Sequence, residues 1–550
     1  MSKEGKNAVG EVYLPNSATV LKVRTIKGDT LETIEPESID FKSSITAPNL
    51  AVGDFVETEY ITYEPPISAY ASRAVSDAFF FASDQTPILH SEFVVEYPSA
   101  WNAQIVEAGP AGNIERSCTS RGESTTCTFL RKNSPAFVTE PNAPTEFDLI
   151  PNIQLYYAWG WPEIKRALRE SIARQTRQTP YIQAYVDQIK FDNDESSSWK
   201  KAQIAYDFVL NSIRESDATH TSDSDSATQT ITRGSGSRLI TLKAIYDALG
   251  LTNYFAFIRA VGAPQQSANL PAQYESFYGT LLVVETEKGP AYVDGSEDFI
   301  PFDYLPTSFQ GQSVIPIDDK IEPFTSRRDD IASMQPTIEI AYEIDESGAA
   351  TAKASETMRG GRGLSMRGFL TSLKGDDTRT HLIIENSLAR NYGRIHLTNL
   401  AIDALDDHNA PLTLHYDFDI ASFAATDGNM LDINSNIFAY KLVDQFAKLP
   451  ASTRKYPVII GGDVLSSRTL SLKAPKGYTW NAQTLHDVDI DTPFGKFSRK
   501  LTLDGDKLQL RESIELLSQR IETAQYADFR NFCLAVDEAQ RTMIRAQRNE

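Results

Sequence analysis

Hydrophobic residues recur at helical spacing mainly in the middle and at the end of this chain, whereas apolar and polar residues alternate over most of the rest. Alternation over residues 18–26 and 53–63, each beside a Gly-Asp turn, predicts β-strands. Helical spacing predicts four helices, over residues 161–177, 198–213, 238–251 and 525–547. The polar stretch at residues 214–230 is expected to form a mobile loop.

These elements predict a multidomain α+β protein. At roughly 150 residues per domain, a chain of 550 residues corresponds to three or four domains. We expect an N-terminal β-sandwich over residues 1–150, a mixed α/β core over residues 151–320, and a β-rich domain that closes on a helix over residues 321–550.

Composition excludes several classes of partner. Hydrophobic residues make up 41% of the chain and charged residues 23%, as in globular proteins. Acidic residues outnumber basic ones by 74 to 53, and the net charge of −21 repels nucleic acids and anionic lipid surfaces. No apolar stretch approaches the roughly 20 residues of a spanning helix. The seven histidines show no zinc-site spacing, so we expect no metal and no cofactor.

Two of the three cysteines are placed to pair. Cys118 and Cys127 fall opposite each other in a predicted hairpin with Gly122 and Glu123 at its tip. Opposed Cα atoms lie about 4.5 Å apart at non-hydrogen-bonded positions, which is close enough for a disulfide. Two free thiols on a hairpin of different register remain the alternative. A disulfide would favour an oxidising compartment such as the periplasm. Cys533 falls on the apolar face of the last predicted helix, where we expect a buried thiol.

The first ten residues, MSKEGKNAVG, lack the apolar run of a signal peptide. The hypotheses are therefore a cytoplasmic protein, or a segment of a longer secreted precursor.

Three segments of the middle region resemble a bacterial transglutaminase-like core. They are KAQIAYDFVLNSI at 201–213, TRGSGSRLITLKAIYDALGLTNYFAFIRAV at 232–261, and SFYGTLLVVETEKGPAYVDGSEDFIPFDYLP at 276–306. The resemblance implies a papain-like α/β fold. In that family a cysteine begins the helix that ends in Ala-Leu-Gly, and a histidine and an aspartate follow on two strands. The usual Leu-Asp-Pro of the last strand is here Val293-Asp294-Gly295.

The chemistry of the family explains its triad. A thiolate attacks an amide carbonyl, and an imidazole lowers the pKa of that thiol and then protonates the leaving amine. The acid fixes the tautomer of the imidazole. Ungapped alignment places the cysteine position at Gly236, the histidine position at Gly279 and the acid at Asp294. The resemblance thus implies a degenerate, non-catalytic member with vestigial triad positions.

An alignment shift of one residue would place Ser235 or Ser237 at the nucleophile position. Neither serine has a histidine on the matching strand to deprotonate it. GSGSR can equally be a loop and a helix cap, with Ser237 as N-cap and Arg238 paired to an acid. An anion site at this helix N-terminus is the alternative. Without its histidine, Asp294 is expected to stabilise a turn.

The resemblance extends beyond the core. Residues 10–32 and 47–66 are similar to the uncharacterised β-domain that precedes such cores in bacterial envelope proteins, through Pro48, Leu50, Gly53, Asp54, Val56, Glu57 and Tyr60. That domain often follows a signal peptide and helical repeats. The partner expected from this is a protein, an envelope polymer, or an upstream helical-repeat segment.

The sequence thus predicts a non-catalytic binding or scaffold protein of the bacterial envelope, periplasmic or otherwise secreted, with a cytoplasmic location left open. One alternative is an amide hydrolase or transglutaminase with a relocated nucleophile, either Cys533 or a serine with a remote histidine. Another is an array of carbohydrate-binding modules, suggested by the aromatic run at residues 156–162.

Overall fold

The computed structural model of the chain separates into two compact units, residues 1–71 and residues 72–550. The division falls inside the segment expected to form the first domain, and the boundaries expected at residues 150 and 320 stay a prediction. The structure describes residues 10–14, 18–34, 44–63, 74–84, 86–158, 160–191, 196–215, 225–264, 278–434, 439–481, 486–541 and 543–549.

The first unit is built from short antiparallel strands. They are β1 Glu11–Tyr13, β2 Thr19–Ile26, β3 Thr33–Ile34, β4 Ser44–Thr46 and β5 Phe55–Ile61. β2 lies between β3 and β5, and β1 pairs with β4. The carboxylate of Asp54, from the second Gly-Asp turn, accepts hydrogen bonds from the amides of Gly28 (3.1 Å) and Ala51 (2.8 Å). It also lies 2.5 Å from the Lys27 ammonium. The hydrogen bond from Lys27 is the main cause that lowers the pKa of Asp54 to about 2.

The second unit begins with two sheets that pack face to face. β11 is central to the first sheet, between β8 and β10, and β12 pairs with β6, β7 and β9 in the second. Phe129 and Ile153, one from each sheet, share a buried cluster. The elements are β6 Ala74–Val75, β7 Phe79–Phe80, β8 Ile88–Pro98, a 3-10 turn at Ser99–Trp101, β9 Gln104–Ala108, β10 Glu115–Arg121, β11 Ser124–Ser134, α1 Glu146–Leu149 and β12 Asn152–Tyr157.

The hairpin of β10 and β11 has the predicted register. Cys118 pairs directly with Cys127, and the two residues form a disulfide. The turn falls at Gly122 and Glu123, as predicted, because Arg121 pairs with Ser124.

The core that follows packs helices against one face of an antiparallel five-stranded sheet ordered β17-β16-β15-β18-β19. Phe257 and Leu282 face the helices, whereas Tyr254 and Leu281 face a second cluster on the other side. The elements are α2 Trp161–Gln175, α3 Pro180–Val186, α4 Ser198–Ser212, β13 Arg214–Glu215, α5 Ala227–Arg233, β14 Ser235–Gly236, α6 Arg238–Ala248, β15 Asn253–Arg259, β16 Tyr278–Thr286, β17 Gly289–Val293, a 3-10 turn at Thr307–Phe309, β18 Ser313–Pro316 and β19 Phe324–Thr325.

The predicted loop at residues 214–230 is wrong in part. Ala227–Arg233 is helical because Ser226 and Gln229 form a reciprocal capping box at its start. Residues 216–224 lie outside the described residues.

The rest of the unit is built on an eight-stranded sheet ordered β22-β23-β21-β20-β27-β31-β30-β29, in which β20 and β27 are parallel. A four-stranded sheet, β24-β25-β33-β28, shares its core. The elements are α7 Ile331–Met334, β20 Thr337–Ile344, β21 Ala350–Met358, α8 Gly360–Ser372, α9 Asp377–Tyr392, β22 Ile395–Asp403, β23 Leu412–Ile420, β24 Ala425–Asp427, β25 Met430–Asn434, α10 Leu442–Phe446, β26 Val458–Ile460, β27 Val464–Lys473, β28 Tyr478–Asn481, β29 Val488–Asp491, β30 Lys496–Asp504, β31 Lys507–Leu516, β32 Gln519–Ile521, a 3-10 turn at Thr523–Gln525, α11 Tyr526–Gln540 and β33 Met543–Arg548.

Two expectations for this region are corrected. Helices α8 and α9 interrupt a stretch expected to be β, and they bury Leu370 and Ile384 against the large sheet. The final helix ends at Gln540 instead of residue 547, because residues 543–548 pair as a strand with β25 and β28.

Candidate functional site

Helix α6 begins beside the predicted nucleophile position. The Ser237 hydroxyl accepts a hydrogen bond from the amide of Ile240 (3.3 Å), which confirms the predicted N-cap. The Glu215 carboxylate accepts another from the amide of Arg238 (2.8 Å). A carboxylate and a cap therefore use the amides that an anion would bind. This arrangement does not support the alternative of an anion site, and a negative charge there would also disfavour a thiolate.

Arg238 points away from the helix start and fixes the segment after β17. Its guanidinium is buried and donates hydrogen bonds to the carbonyls of Ile213 (2.7 Å) and Gly295 (3.2 Å). It also pairs with Asp298, which confirms the predicted pairing with an acid. The residue thus holds the backbone next to Asp294 against the start of α6.

Gly236 lies in a short parallel pairing in which it faces Glu215. Its φ of +143° is a conformation that residues with side chains rarely adopt. A Cβ built there would collide with the Thr230 hydroxyl oxygen and lie 3.0 Å from the Cβ of Thr230, which is itself fully buried. Backbone conformation and packing together leave no room for a cysteine side chain at this position.

Gly279 lies on β16, on the sheet face opposite the helices. A Cβ there would point at the Phe309 ring, with 2.7 Å to its Cζ atom. The next residue, Thr280, is the one that faces the helices, since neighbouring side chains of a strand alternate between faces. The position aligned with the histidine is therefore filled by an aromatic ring, and the position facing the cleft holds a hydroxyl.

Asp294 stabilises a turn, as predicted. Its carboxylate accepts a hydrogen bond from the amide of Ser296 (3.0 Å), and its backbone carbonyl accepts one from the hydroxyl of Tyr206 (2.7 Å). Tyr206 also donates to the carbonyl of Ile300 (2.8 Å), so one buried hydroxyl joins two points of the segment after β17.

A cleft of about 140 Å³ lies between α2, α6 and the sheet. Its walls are mainly aliphatic and aromatic, and Ser237, Thr280 and Asp294 contribute polar groups. Among the described residues that line it there is no cysteine and no histidine; they are Leu168, Ser171, Ile172, Gln175, Ser237, Leu239, Ile240, Phe255, Phe257, Thr280, Asp294, Ser296 and Ile317. Chemically, this cleft can accept an apolar group and hydrogen-bond its neighbour. The described lining residues include serine hydroxyls but no imidazole that could deprotonate one.

The remaining thiol is not available for chemistry. Cys533 lies on α11 with no exposed surface, which confirms that it is buried. Burial raises the pKa of Cys533 to about 12, so almost none of it is thiolate at neutral pH.

One polar contact could not be predicted from the sequence, because it joins residues far apart in the chain. The His408 imidazole lies 2.9 Å from the Asp207 carboxylate, which also accepts a hydrogen bond from the side chain of Asn409 (3.2 Å). These contacts connect the loop before β23 to helix α4. Neither residue lines the cleft.

The aromatic run at residues 156–162 contributes to packing. Tyr157 stacks on Trp101 with ring centroids 4.3 Å apart. Trp161 contacts Phe257 and Tyr278, each with a centroid distance of 5.6 Å. Trp159 lies outside the described residues. These contacts give no support to an exposed stacking platform for sugars.

Among the residues that the structure describes, no group of three or more His, Cys, Asp or Glu residues is arranged to hold a metal ion. None of the helices in the described ranges is both long enough and apolar enough to cross a bilayer.

Two domain families match parts of the chain. Residues 40–138 match a domain of unknown function with a solved structure, DUF3857, and residues 429–545 match another, DUF3858. No curated protein matches the chain significantly.

Two crystal structures are similar to the chain. One, described as a "putative protease" from Parabacteroides distasonis, aligns with 100% of this chain and 94% of its own, at 12% identity and a TM-score of 0.61. The other, a "putative cysteine protease" from Cytophaga hutchinsonii, aligns with 42% of this chain and 76% of its own, at 11% identity and a TM-score of 0.18. At 12% identity the first similarity establishes the fold alone: this chain has a multidomain α+β fold with a β-rich C-terminal region.

Proposed function

We propose that this chain is a non-catalytic, transglutaminase-like binding or scaffold protein of the bacterial cell envelope. The observation that carries the proposal is that both vestigial positions are filled. Thr230 closes the position of Gly236, and the Phe309 ring closes that of Gly279. Substitutions that only removed the two side chains would leave empty space at both positions. Here the neighbouring residues occupy that space, which fits a cleft that serves binding.

The cleft suggests what is bound. Seven of its lining residues are aliphatic or aromatic, and the Ser237, Thr280 and Asp294 groups lie among them. A pocket of this composition takes an apolar side chain and hydrogen-bonds the polar group next to it. A protein segment with an exposed Leu, Ile or Phe side chain is the partner that we infer, and an envelope polymer with an apolar substituent is the other candidate.

The disulfide supports a location in an oxidising compartment such as the periplasm. Disulfides persist in oxidising compartments and are rare in the reducing cytosol. Alkylation of the native protein should leave Cys118 and Cys127 unlabelled until a reductant is added, and Cys533 unlabelled until the protein is denatured. Rapid labelling of Cys118 and Cys127 in protein purified from its natural host would contradict a periplasmic or secreted location.

The loss of catalysis is tested with the full chain. Incorporation of a fluorescent primary amine into a glutamine-containing peptide, and hydrolysis of the same amide, should proceed no faster than in buffer. Turnover that disappears in both Ser237→Ala and Asp294→Asn, with unchanged melting temperatures, would show that the cleft is catalytic and would refute the proposal.

Binding in the cleft is tested with a variant that places a bulky side chain on the cleft wall. Thr280→Arg places a long cation at an exposed position of the cleft wall, and Thr252→Arg places the same side chain at an exposed position outside the cleft lining. In a fluorescence titration with acetylated peptides that differ only in one residue, the wild type should prefer Leu over Asp. Thr280→Arg should abolish this preference and Thr252→Arg should keep it. Equal binding by both variants would place the site elsewhere.

A further inference from the structure

A second cavity, of about 320 Å³, lies far along the chain from the cleft, between helices α8 and α9 and the large sheet. Its floor is formed by four adjacent strands, β23, β21, β20 and β27. Its walls include Ser387 and Tyr392 from α9 and Tyr440 from the segment before α10. Its volume is at the lower end of the range for small-molecule pockets, which suits a ligand the size of one sugar ring or one amino acid.

The floor carries charged side chains where the neighbouring positions are apolar. Arg468 precedes Leu470 and Leu472 on the same face of β27, and both leucines are fully buried. The side chains of Arg468 and Glu356 are only 11% and 10% exposed. Burying charges is costly, and an apolar core would avoid that cost. These residues therefore mark the cavity as more than a packing defect.

The register leaves space between the two charges. Ile338 pairs with Arg468 on one side and with Glu356 on the other, so the two charged residues stand two strands apart, about 10 Å at backbone level. A small molecule lying over Ile338 would reach both.

The charges around the cavity do not balance. Arg468 and Arg499 share Glu512, with nitrogen–oxygen distances of 2.9 Å and 2.8 Å. Arg362 pairs with Glu356 at the mouth. Arg499 and Glu512 do not line the cavity; the charged groups that do are Arg362, Arg468 and Glu356, two positive and one negative. A ligand with a single negative charge would be attracted to this lining.

Tyrosine hydroxyls supply neutral hydrogen-bonding groups. Tyr392 and Tyr416 line the cavity, and burial raises the pKa of both, so that they stay protonated. The Tyr440 ring lies 4.8 Å from the Arg468 guanidinium, which it covers. Ser466 and Asn391 add a hydroxyl and an amide. Aromatic rings combined with planar polar groups are typical of sites for small polar organic ligands.

We infer that this cavity binds a small organic carboxylate, whose negative charge faces Arg468 and Arg362 and whose hydroxyl or amide groups face Glu356, Tyr416 and Ser466. The ligand is either a sugar acid or the carboxyl terminus of a peptide, since both carry this chemistry. The site is separate from the cleft, so the proposal does not depend on the function proposed for the cleft.

Isothermal titration calorimetry of the full chain with four probes distinguishes a sugar acid from a peptide carboxyl terminus. D-glucuronate is compared with D-glucose, and N-acetylalanine with N-acetylalanine amide, so that each acid has a neutral partner of similar size. We expect one acid to bind about tenfold or more tighter than its neutral partner, which is the contribution of a charge-assisted hydrogen bond. The acid that binds identifies the source. Failure of both acids to bind at millimolar concentration, or equal binding of acid and neutral partner, would overturn the inference.

Variants locate the site. Arg362 is half-exposed, so Arg362→Gln removes one cavity charge without burying a new group, and Arg390→Gln removes an exposed charge on the same helical layer outside the cavity. Arg362→Gln and Tyr416→Phe should each weaken binding about fivefold to tenfold, whereas Arg390→Gln should leave it unchanged. Thr280→Arg in the cleft should also leave it unchanged. Equal affinity in wild type, Arg362→Gln and Tyr416→Phe would place the ligand outside this cavity and overturn the assignment.

Discussion

Replacing Gly236 by alanine tests whether the nucleophile position is closed to any side chain. The glycine has φ +143°, and a Cβ would collide with the Thr230 hydroxyl. A non-glycine residue in such a conformation costs about 1–3 kcal/mol. An added carbon in a packed site costs about 1–3 kcal/mol more. We expect Gly236→Ala to lower the free energy of unfolding by about 2–6 kcal/mol, and the melting temperature by about 5–20 °C for a domain of ordinary size.

Gly289→Ala is the matched control. Gly289 has φ +99° and has nothing within 4 Å of a built Cβ, so this variant reports backbone strain alone, about 1–3 kcal/mol. Thr230→Ala in the Gly236→Ala background removes the colliding hydroxyl, and a cycle of the four proteins isolates the coupling between the two sites. We expect a favourable coupling of about 1–3 kcal/mol.

The assay is differential scanning calorimetry of the full chain. It follows the transition that shifts, because several domains need not unfold together. If Gly236→Ala melted within 2 °C of Gly289→Ala and the cycle showed no coupling, the position would have room for a side chain. Thr230 would then not close the position.

Three further predictions follow from single residues. Cys533 should resist iodoacetamide for hours at pH 8 in the native protein and react at once in denaturant, because burial raises its pKa to about 12; fast native labelling would contradict its burial. The folded-state pKa of Asp54 is lowered from 3.8 to about 2, so its contribution to stability is present above about pH 4 and is lost as the pH falls toward 2. Acid unfolding of the first unit, followed by hydrogen exchange, should therefore be steeper in wild type than in Asp54→Asn, and equal slopes would refute this linkage. Arg238→Met should lower the free energy of unfolding by about 2–4 kcal/mol, since it leaves buried carbonyls unpaired. Asp298→Asn should lower it by less than about 1 kcal/mol, because that carboxylate is mostly exposed. Similar melting temperatures for both variants would show that the carbonyls find other donors.

Features encoded by neighbouring residues could be predicted from the sequence. The cap Ser237 lies directly before the helix that it starts, and the Cys118–Cys127 register follows from the position of the turn. Such features depend on local hydrogen bonds and on the chain geometry, which a sequence displays directly.

Features decided by distant contacts could not be predicted. Residues 543–548, MIRAQR, are rich in helix formers, and only pairing with β25 and β28 makes them a strand. Helix α8 starts with Gly360, Gly361 and Gly363, which disfavour helix, and its packing on the sheet overrides that preference. The polar cavity had no sequence signature, since its residues come from four strands, two helices and the segment before α10.

The candidate site shows the same limit at the scale of one residue. Alignment assigned the histidine position to Gly279 and the acid to Asp294, but a shift of one residue exchanges the two faces of a strand. It therefore could not tell that Gly279 faces Phe309 and that Thr280 faces the cleft.

The position of β33 has a consequence for synthesis on the ribosome. This strand lies between β25 and β28 in its sheet, and it is the last of the four to be made. Until residue 548 has emerged, β28 has no partner in this sheet and β25 pairs only with β24, and more than a hundred residues separate β25 from β33. Unpaired strand edges invite association with other chains. The sheet can therefore be completed only late in synthesis.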